Sequence, residues 1–565
     1  MTSLYSHEIK KITEGTGAKS GFVGFFFPSL RARGLGEEKP VPTYSAIIYK
    51  EGDEVRAEDW KGRKIASGQA GVDDASVIQR ALDFGGLIYL APGRYKFIEQ
   101  QVFIRTDNTK LAGAGIDITI LEGGIHLGTD IEGSSAPKTT NIELADLTID
   151  GTNFPDTGSG VSYRYVENAV VRRVKFYAIP FWNIFGNFES GVPKSKSLYL
   201  LDCIFDRNNV TRGQQDMTAF NNLEILHVES CTFKNNGVGA TFLPYSNIDY
   251  VYLENCEFKN IAAYGGILIG FGSPLGSIKT AFVRDIKIIN AGTNSIMPSE
   301  YAYISGIKMR GSSSQSSVLE VGGQLCEVCD IQAAYYTNIH LLPWGHDGTD
   351  YVAGKIVMNS VAADRIELLI KSDSVPDNVK VELHNVITHI NYGGNGGFRS
   401  PINPNLTAAR NIYLYLYECN FEGHLSLYSY EPSTALITYR GMIKRCKAPT
   451  LYLGQKVAIE FVDNDFDNVQ YSDTYTDVGA IFKKNKNPKT ENSGTATFSG
   501  DGTKTQFSIS HGLVSTPSRV LATPMTKDAA GDFYITKDDT NIYVNYLSAP
   551  PSGSNNVKLS WYAEI

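Results

Sequence analysis

The sequence predicts an all-β protein whose main part is a parallel β-helix. The chain of 565 residues is rich in Gly (54), Tyr (32) and Phe (27), a composition that favours strands joined by many turns. A six-residue frame, apolar-x-x-Φ-x-[Phe/Ile] with Φ apolar or Cys, recurs mostly at steps of 25 to 33 residues. Short β-rich runs separated by polar turns at such a period are typical of a solenoid in which each repeat is one coil.

The frame marks one equivalent position in each repeat. These positions are Leu147, Val174, Cys203, Cys231, Cys256, Ile286, Cys329, Val361, Val386, Cys419, Cys446 and, in degenerate form, Asn464. Leucine-rich repeats have a similar period, but their helical half is absent here. Because one coil cannot bury its own apolar residues, about 12 stacked coils are expected to form one continuous core.

The segment 68–97, "GQAGVDDASVIQRALDFGGLIYLAPGRYKF", predicts an N-terminal capping helix. Asp73 or Asp74 is expected to N-cap this helix. Gly85 and Gly86 end it, and "LIYL" is predicted to be a short buried strand. The apolar stripe of the helix comprises Val77, Ile78, Ala81 and Leu82.

This segment, together with "TKLAGAGIDITIL" at 109–121, resembles the entry to the pectate-lyase-like right-handed β-helix superfamily, which includes bacteriophage tailspikes. The resemblance covers roughly residues 65–490 and implies a right-handed single-stranded parallel β-helix. Members of that superfamily include lyases, hydrolases, isomerases and plain binders. The resemblance therefore says more about the fold than about the chemistry.

Two flanking regions complete the predicted domain organisation. Residues 1–64 are expected to form an N-terminal arm or docking region, because the apolar run "GFVGFFFP" has no local core. Residues 483–505 are polar and are predicted to be a linker. Alternating strands and Pro/Gly turns predict a small C-terminal β-sandwich over 491–565. It resembles small modules of viral and surface β-helix proteins that bind carbohydrate or hold a trimer together.

Charge and hydropathy narrow the classes of partner. The formal net charge of -8 argues against a nucleic-acid partner, although a local basic groove is compatible with an acidic body. No segment approaches 18 consecutive apolar residues, so no membrane span is expected. The start "MTSLYSHEIKKITEG" lacks the pattern of a secretory signal. The chain is therefore expected to fold in a cytoplasm and to act in a virion tail or outside the cell.

The cysteines are predicted to be structural. Cys203, Cys231 and Cys256 are expected to form an interior column with a spacing of about 4.8 Å. A linear column cannot offer four converging zinc ligands, and parallel Cβ atoms at this spacing are too far apart for a disulfide. No metal and no cofactor is predicted. The remaining cysteines are assigned to the same inward position (Cys329, Cys419, Cys446) or to the other inward position of a coil (Cys326).

The residue before the repeated position is usually polar. A column of such residues along a solenoid is expected to stabilise turns rather than to catalyse a reaction. Its members are Asp146, Arg173, Asp202, Ser230, Asn255, Asp285, Asn385 and Glu418.

The excursion "DRNNVTRGQQDM" at 206–217 is the first candidate site. Glycosidases need one protonated and one ionised carboxylate across the scissile bond, and Asp206 with Asp216 could supply this pair. A solvated loop is the alternative interpretation. The substrate-binding residues expected here are Glu189, Arg207, Arg212 and Gln215.

The segment "YYTNIHLLPWGHDGTD" at 335–350 is the second candidate site. Strand alternation predicts that His340 points outwards. A uronate lyase needs a base and a cation that neutralises the carboxylate, roles that suit His340 and either Arg310 or Lys308. Ordinary surface groups are the alternative interpretation. The substrate-binding residues expected here are Tyr301, Lys308, Tyr335, Tyr336, Trp344, His346 and Asp347.

The predicted function is tailspike-like cleavage of a polysaccharide, with hydrolysis and β-elimination both open. A homotrimer is expected, with attachment to a virion tail through the N-terminal region. The missing signal peptide, the apolar arm and the C-terminal module favour this interpretation over a secreted lyase. A non-catalytic β-helical fibre, structural or receptor-binding, is the alternative.

Overall fold

The protein is described here from a computed structural model. The structure describes residues 44–565 except 130, 132–134, 136, 187–192, 209–215, 238, 262–264, 271–277, 313–315, 335, 347–350, 370–376, 390–396, 400–408, 428–436, 455 and 473–474. Within this part, the chain from Ala46 to Lys483 forms one 39-stranded, mostly parallel sheet. Successive coils add strands to three stacks, so the predicted parallel β-helix is confirmed.

The first stack is the longest of the three. Its strands are Ala46–Glu51, Leu87–Leu90, Lys110–Ala112, Thr139–Asp150, Val166–Tyr177, Ser195–Leu201, Thr218–Glu229, Pro244–Glu254, Ile278–Arg284, Tyr301–Ser305, Leu325–Ala334, Lys355–Ala363, Val379–Thr388, Arg410–Tyr417, Ile437–Lys444, Lys456–Val462, Thr476–Asp477 and Ile481–Lys483. Several of the longer strands continue around a corner into a neighbouring stack.

The second stack follows the first along each coil. Its separate strands are Ile204–Asp206, Thr232–Lys234, Glu257–Ile261, Lys287–Ala291, Lys308–Arg310 and Asn420–Phe421. The third stack holds Val161–Arg164, Ile184–Gly186, Leu268–Ile269, Thr293–Ile296, Ser317–Gly322, Thr337–Leu342, Arg365–Leu368, Gly397–Arg399 and His424–Leu427. Four strands span the second and third stacks: Gly93–Ile104, Thr119–Gly128, Lys447–Leu453 and Asp465–Tyr471.

One hydrophobic cluster fills the interior of the coils from Ala46 to Phe466. In the second stack, Phe176, Phe205, Phe233 and Phe258 lie above one another, with neighbouring ring centroids 4.5–4.8 Å apart. Burying each such ring contributes about 1.5–3 kcal/mol. Stacking of equivalent positions therefore supplies the core that one coil cannot form alone.

A left-handed residue turns the chain between the first and second stacks. All eight members of the predicted polar column have φ between 50° and 59°. Polar residues, above all Asn and Asp, tolerate this conformation better than β-branched ones. Gly306, Asp330 and Ser360 hold the same position in further coils. The structure confirms that this column forms turns.

The interior thiols have a hydrogen-bonding role. The main-chain N–H of Cys203 donates to Sγ of Cys231, and the N–H of Cys231 donates to Sγ of Cys256, both at 3.4 Å. All seven cysteines are free, and burial raises the pKa of the Cys231 thiol. The predicted interior column is confirmed, and Cys419, Cys446 and Cys326 are also buried and inward.

The register predicted around Cys329 was wrong. Cys329 is partly exposed and lies 3.6 Å from the hydroxyl of Tyr303. The left-handed residue of this coil is Asp330, so Ile331 takes the inward position and pairs with Val361. The long interval before it contains a further coil, whose inward residue is Ile307.

The degenerate repeat at Asn464 is a true coil. Oδ1 of Asn464 accepts the N–H of Cys446 at 2.9 Å, and Oδ1 of Asn485 accepts the N–H of Asn464 at 3.0 Å. Both asparagines are buried. An amide oxygen therefore replaces the thiol as the acceptor at this end of the β-helix.

Helix α1 spans Asp74–Phe84 and buries all four residues of the predicted stripe. Asp73 is at the N-cap position, but its carboxylate accepts the N–H of Gln69 rather than one from the helix. The carboxylate of Asp74 accepts a hydrogen bond from Lys50 at 2.7 Å. The predicted side-chain cap was therefore wrong, because both carboxylates bind the preceding segment or a neighbouring strand.

The segment before the helix belongs to the main sheet. Strands Ala46–Glu51, Glu54–Asp59 and Lys64–Gln69 pair antiparallel in sequence order. Ala46–Ile48 also pairs in parallel with Ile88–Leu90. The arm expected over 1–64 is therefore part of the sheet from Ala46 on, while the run "GFVGFFFP" lies outside the described residues.

The C-terminal region forms two three-stranded antiparallel sheets around a separate hydrophobic cluster. The first sheet contains Glu491–Gly500, Arg519–Pro524 and Gly553–Glu564, and the second contains Gln506–Ser510, Phe533–Lys537 and Asn541–Tyr546. The predicted linker over 483–505 was wrong for Glu491–Gly500, which pairs with the last strand of the chain. In the described part of the chain, no helix is long and apolar enough to cross a membrane.

Candidate functional site

The outer surface of the third stack carries a row of charged side chains on successive coils. The pairing register places Glu320 beside His340, His340 beside Glu367, and Glu367 beside Arg399. Glu320, His340 and Glu367 each occupy an outward position between inward apolar neighbours, such as Ile339 and Leu341 around His340. Arg399 follows the buried Phe398. We call Glu320, His340, Glu367 and Arg399 the third-stack row.

His340 lies between two carboxylates. Its Nδ1 is 3.3 Å from Oε1 of Glu320, and its Nε2 is 3.4 Å from Oε2 of Glu367. The His340 side chain is only 17% exposed. Burial by itself would lower the pKa of His340, but the hydrogen bonds to the two carboxylates outweigh it and raise the pKa. The arrangement therefore favours the imidazolium form.

Glu367 also has a cationic partner on its own strand. Nη1 of Arg365 lies 3.2 Å from Oε1 of Glu367. Burial favours the neutral acid, but His340 and Arg365 together lower the pKa of Glu367. Glu367 is therefore held as an ionised carboxylate. Glu320 is 7% exposed and the Glu367 side chain is 16% exposed. Both carboxylates of the row are therefore partly screened from water.

The adjacent coils extend the row with a second histidine. Nε of Arg399 donates to Nε2 of His424 at 3.2 Å. Burial, Arg399 and Arg365 lower the pKa of His424, so this ring is held neutral. The ring of His424 meets Tyr452 edge to face at 5.4 Å. One outer surface thus holds an ionised carboxylate, an imidazolium, two guanidinium groups and a neutral imidazole.

The two carboxylates are the residue type that glycoside chemistry uses, and the His340 imidazole lies in the gap between them. The row could also neutralise an acidic sugar through Arg365 or Arg399.

The first predicted site is mostly engaged in local contacts. Asp206 accepts hydrogen bonds from Asn208 (N–H) and Asn235 (Nδ2), and Nζ of Lys234 lies 3.1 Å from its Oδ2. Asp216 accepts the N–H of Ala240 at 2.6 Å. Glu189, Arg212 and Gln215 lie outside the described residues.

Arg207 is buried rather than available on a loop. Its guanidinium donates to the carbonyl oxygens of Ile179, Pro180 and Phe181 and to Oδ1 of Asn236. Burial lowers its pKa to about 10, an effect that the Asp216 carboxylate opposes. These contacts give Arg207 a structural role at a corner of the coil.

The second predicted site is divided among the stacks. His340 lies on the third stack, whereas Lys308 and Arg310 lie on the second and Tyr301 on the first. The main-chain carbonyl of Tyr336 accepts the N–H of Ser317 at a corner. Tyr335 and Asp347, and the side chains of Trp344 and His346, lie outside what the structure describes.

Tyr301 belongs to an aromatic group on the first stack. The neighbouring rings of Tyr252 and Phe282 stack with centroids 5.0 Å apart and an interplanar angle of 9°. The hydroxyl of Tyr301 donates to Glu327 at 3.1 Å. The ring of Tyr301 meets Phe282 edge to face, with centroids 5.9 Å apart.

The sequence reasoning missed Glu320, Glu367, Arg365, Arg399 and His424. The available signal was a charged residue at the outward position of apolar strands, in "VLEVG", "NIHLL" and "RIELL". Alternation predicts outward side chains for each strand alone. Their alignment on one row depends on the pairing between coils.

The strand pairing and this row define the class: a parallel β-helix protein with titratable and cationic side chains on one outer surface. No family model matches the chain, and no curated protein matches its sequence. Among solved structures, it is similar to the A-module of the Azotobacter vinelandii mannuronan C-5 epimerase AlgE6, with 15% identity, a TM-score of 0.29, and coverage of 73% of this chain and 96% of that one.

Two further structures show the range of similar proteins. One is a mutant tailspike protein of E. coli bacteriophage HK620 in complex with a hexasaccharide, with 12% identity, a TM-score of 0.37, and coverage of 89% and 91%. The other is PfbA, a surface adhesin of Streptococcus pneumoniae, with 12% identity, a TM-score of 0.32, and coverage of 74% and 90%. These similarities assign no chemistry to this chain.

Proposed function

We propose that the protein cleaves a polysaccharide by hydrolysis at the third-stack row. The observation that carries this proposal is the position of His340 between the carboxylates of Glu320 and Glu367. Two carboxylates across a scissile bond, held in different environments, are the usual requirement for glycoside hydrolysis.

The environments suggest a role for each group. Glu367 is held ionised and is the base that activates water. Glu320 receives a proton from the His340 imidazolium and delivers it to the leaving oxygen, so Glu320 acts as the acid and His340 as its proton source. Arg365 is a positioning residue that keeps Glu367 ionised.

Elimination is the second candidate reaction, and the Arg399–His424 contact favours it. The uronate carboxylate would take over the hydrogen bond of Arg399, and this would free the Nε2 lone pair of His424 to remove the C5 proton. The two reactions give different products. Elimination leaves an unsaturated sugar that absorbs in the near ultraviolet, whereas hydrolysis yields reducing ends without that absorbance.

The test is to incubate the full chain with a panel of acidic and neutral polysaccharides and to measure both products. We expect reducing ends without ultraviolet absorbance, and their loss in Glu320→Gln and Glu367→Gln. Glu460→Gln, which changes a first-stack glutamate paired with Lys483, is the matched control. Unsaturated products would show that the reaction is elimination rather than hydrolysis. No cleavage across the panel would favour a non-catalytic fibre.

The assembly expected from the sequence is part of the same proposal. The chain would act as a homotrimer in a virion tail or at an extracellular surface, attached through its N-terminal region. Light scattering of the purified full chain tests the trimer: a mass three times the 62.0 kDa of one chain is expected. A monomeric mass would remove this part of the proposal without affecting the third-stack row.

A further inference from the structure

The second stack carries a basic patch that differs from the rest of the β-helix surface. We define this second-stack basic patch by its five cations on consecutive coils: Lys234, Lys259, Lys287, Lys308 and Arg310. Four of the five are exposed. Lys234 is half-buried, with 36% of its side chain exposed. The patch lies on a chain with a formal net charge of -8.

Elsewhere on the β-helix, charges on neighbouring coils are mostly of opposite sign. Glu143 lies between Lys110 and Arg172, with contacts of 2.9 and 2.8 Å. Glu382 contacts Lys355 on the preceding coil at 2.9 Å. Such cross-strand pairs stabilise a sheet, whereas like charges directly opposite one another destabilise it.

Two like-charged pairs occur between other coils of the described chain, but each has a shared partner. Lys355 and Lys380 both contact Glu382. Glu229 and Glu254 both contact His227.

The basic patch contains two like-charged pairs without a shared partner of this kind among the described residues. Lys234 is paired directly with Lys259, and Lys287 is paired directly with Lys308. Among the residues described, four carboxylates lie beside the patch. Asp206 lies 3.1 Å from Lys234 and Glu257 lies 3.0 Å from Lys287. Asp285 and Asp330 occupy the corners before Lys287 and before Gln332, the residue that pairs with Lys308.

Two lysines of the patch keep their charge uncompensated. Among the residues that the structure describes, neither Lys259 nor Lys308 forms an ion pair. The next outward positions beyond the patch, Gln332 and Ala334, are uncharged. Adjacent cations with unfavourable mutual repulsion are expected where a polyanion supplies the missing negative charge.

We propose that the second-stack basic patch binds an anionic polysaccharide, through carboxylate or sulfate groups, away from the third-stack row. Lys234 and Lys259, and likewise Lys287 and Lys308, are one coil apart, about 4.8 Å, which is close to the length of one sugar residue. Lys259 and Lys287 are diagonal neighbours on adjacent coils. Duplex DNA carries one charge per about 1.7 Å and requires a denser array of cations. The choice of a glycan as the polyanion rests on the proposed function.

The test measures binding of the full chain to immobilised polygalacturonate as a function of salt. The double variant Lys259→Gln/Lys308→Gln is expected to bind on the order of tenfold more weakly at low salt, with a shallower salt dependence. Lys447→Gln is the matched control, because Lys447 is an exposed second-stack lysine outside the patch. It should bind like the wild type.

Additional arms identify the ligand chemistry. Dextran sulfate in place of polygalacturonate separates sulfate from carboxylate recognition, and neutral dextran should not bind at the patch. The double variant should unfold at the same temperature as the wild type or at a higher one, since it relieves repulsion. Lysines with a structural role would instead lower the unfolding temperature.

Three results would overturn the proposal: equal binding by the double variant, binding insensitive to salt, or a preference for single-stranded DNA over every anionic glycan tested. Glu367→Gln separates this proposal from the function of the third-stack row. It should lose cleavage but keep its affinity for polygalacturonate at the patch. A wild-type chain that binds but cleaves nothing would refute the cleavage proposal alone.

Discussion

Replacing His340 by Ala is expected to destabilise the protein by an amount that depends on pH. The substitution removes two charge-assisted bonds, a hydrogen bond of 3.3 Å to Glu320 and an ion pair of 3.4 Å to Glu367. Such bonds contribute about 1.5–3 kcal/mol each, and their length places them at the weak end of this range. We therefore expect a loss of about 3 kcal/mol when His340 is protonated.

The pH dependence follows from the direction of the pKa shift. The pKa of His340 is higher in the folded protein than in the unfolded chain, where it is about 6.5. Its stabilising contribution is complete below about pH 6.5 and is lost as the pH rises through the folded value. The difference between His340→Ala and the wild type should therefore be largest near pH 5.5 and shrink towards about pH 9.

The assay is urea unfolding followed by circular dichroism at both pH values. His384→Ala is the control, because His384 has one acidic partner, Glu382 at 3.1 Å, and is 35% exposed. Its ring also stacks on Tyr417, with centroids 4.9 Å apart. The cost of His384→Ala should remain below about 1 kcal/mol. Equal destabilisation by His340→Ala at both pH values, or an effect no larger than that of the control, would refute the reasoning.

Three further predictions concern the scaffold. Arg207→Ala should lower the free energy of unfolding by about 3–5 kcal/mol, because the buried guanidinium holds three carbonyl groups. Arg207→Lys should lower it nearly as much. If Arg207 were instead an exposed loop residue, the loss would be less than about 0.5 kcal/mol. Cys231→Ala should lower the free energy of unfolding by about 1–3 kcal/mol more than Cys231→Ser, because serine keeps an acceptor for the N–H of Cys203. Equal urea midpoints for the two variants would exclude this acceptor role. Asn255→Ile should cost about 1–2 kcal/mol more than Asn255→Gly, because φ is 51°; thermal midpoints within error of each other would contradict this.

The coil interior was predictable because its signal repeats. Each coil must bury the same position, so residues such as Cys231 and Val386 mark the inside whatever the loops contain. The polar residue before that position was predictable for the same reason, since each coil needs a left-handed turn. Composition and periodicity are therefore sufficient to predict the coil interior and its corners, because the same local requirement recurs in each coil.

The register failed where the local pattern was ambiguous. In "CEVCDI", Cys326 and Cys329 are equally suitable for an interior position, and only the turn at Asp330 decides between them. The coil of Ile307 was missed because Gly306 replaces the polar turn residue. A glycine satisfies the left-handed conformation without the side chain by which the pattern was recognised.

The third-stack row could not be predicted from single strands. Glu320, His340 and Glu367 come from three coils that are separated by loops of different length. Their alignment is a property of the pairing between coils rather than of any short motif. Conversely, Arg207 looked available in a polar excursion, but its long side chain reaches back to the main chain of the preceding coil.

The most direct test of the central claim is a crystal structure of Glu367→Gln with a bound oligosaccharide of the cleaved polysaccharide. The proposal predicts that a glycosidic oxygen lies within hydrogen-bonding distance of Glu320, with the sugar chain across the third-stack row. Binding of the oligosaccharide at Asp206 and Asp216, or on the first stack, would contradict it.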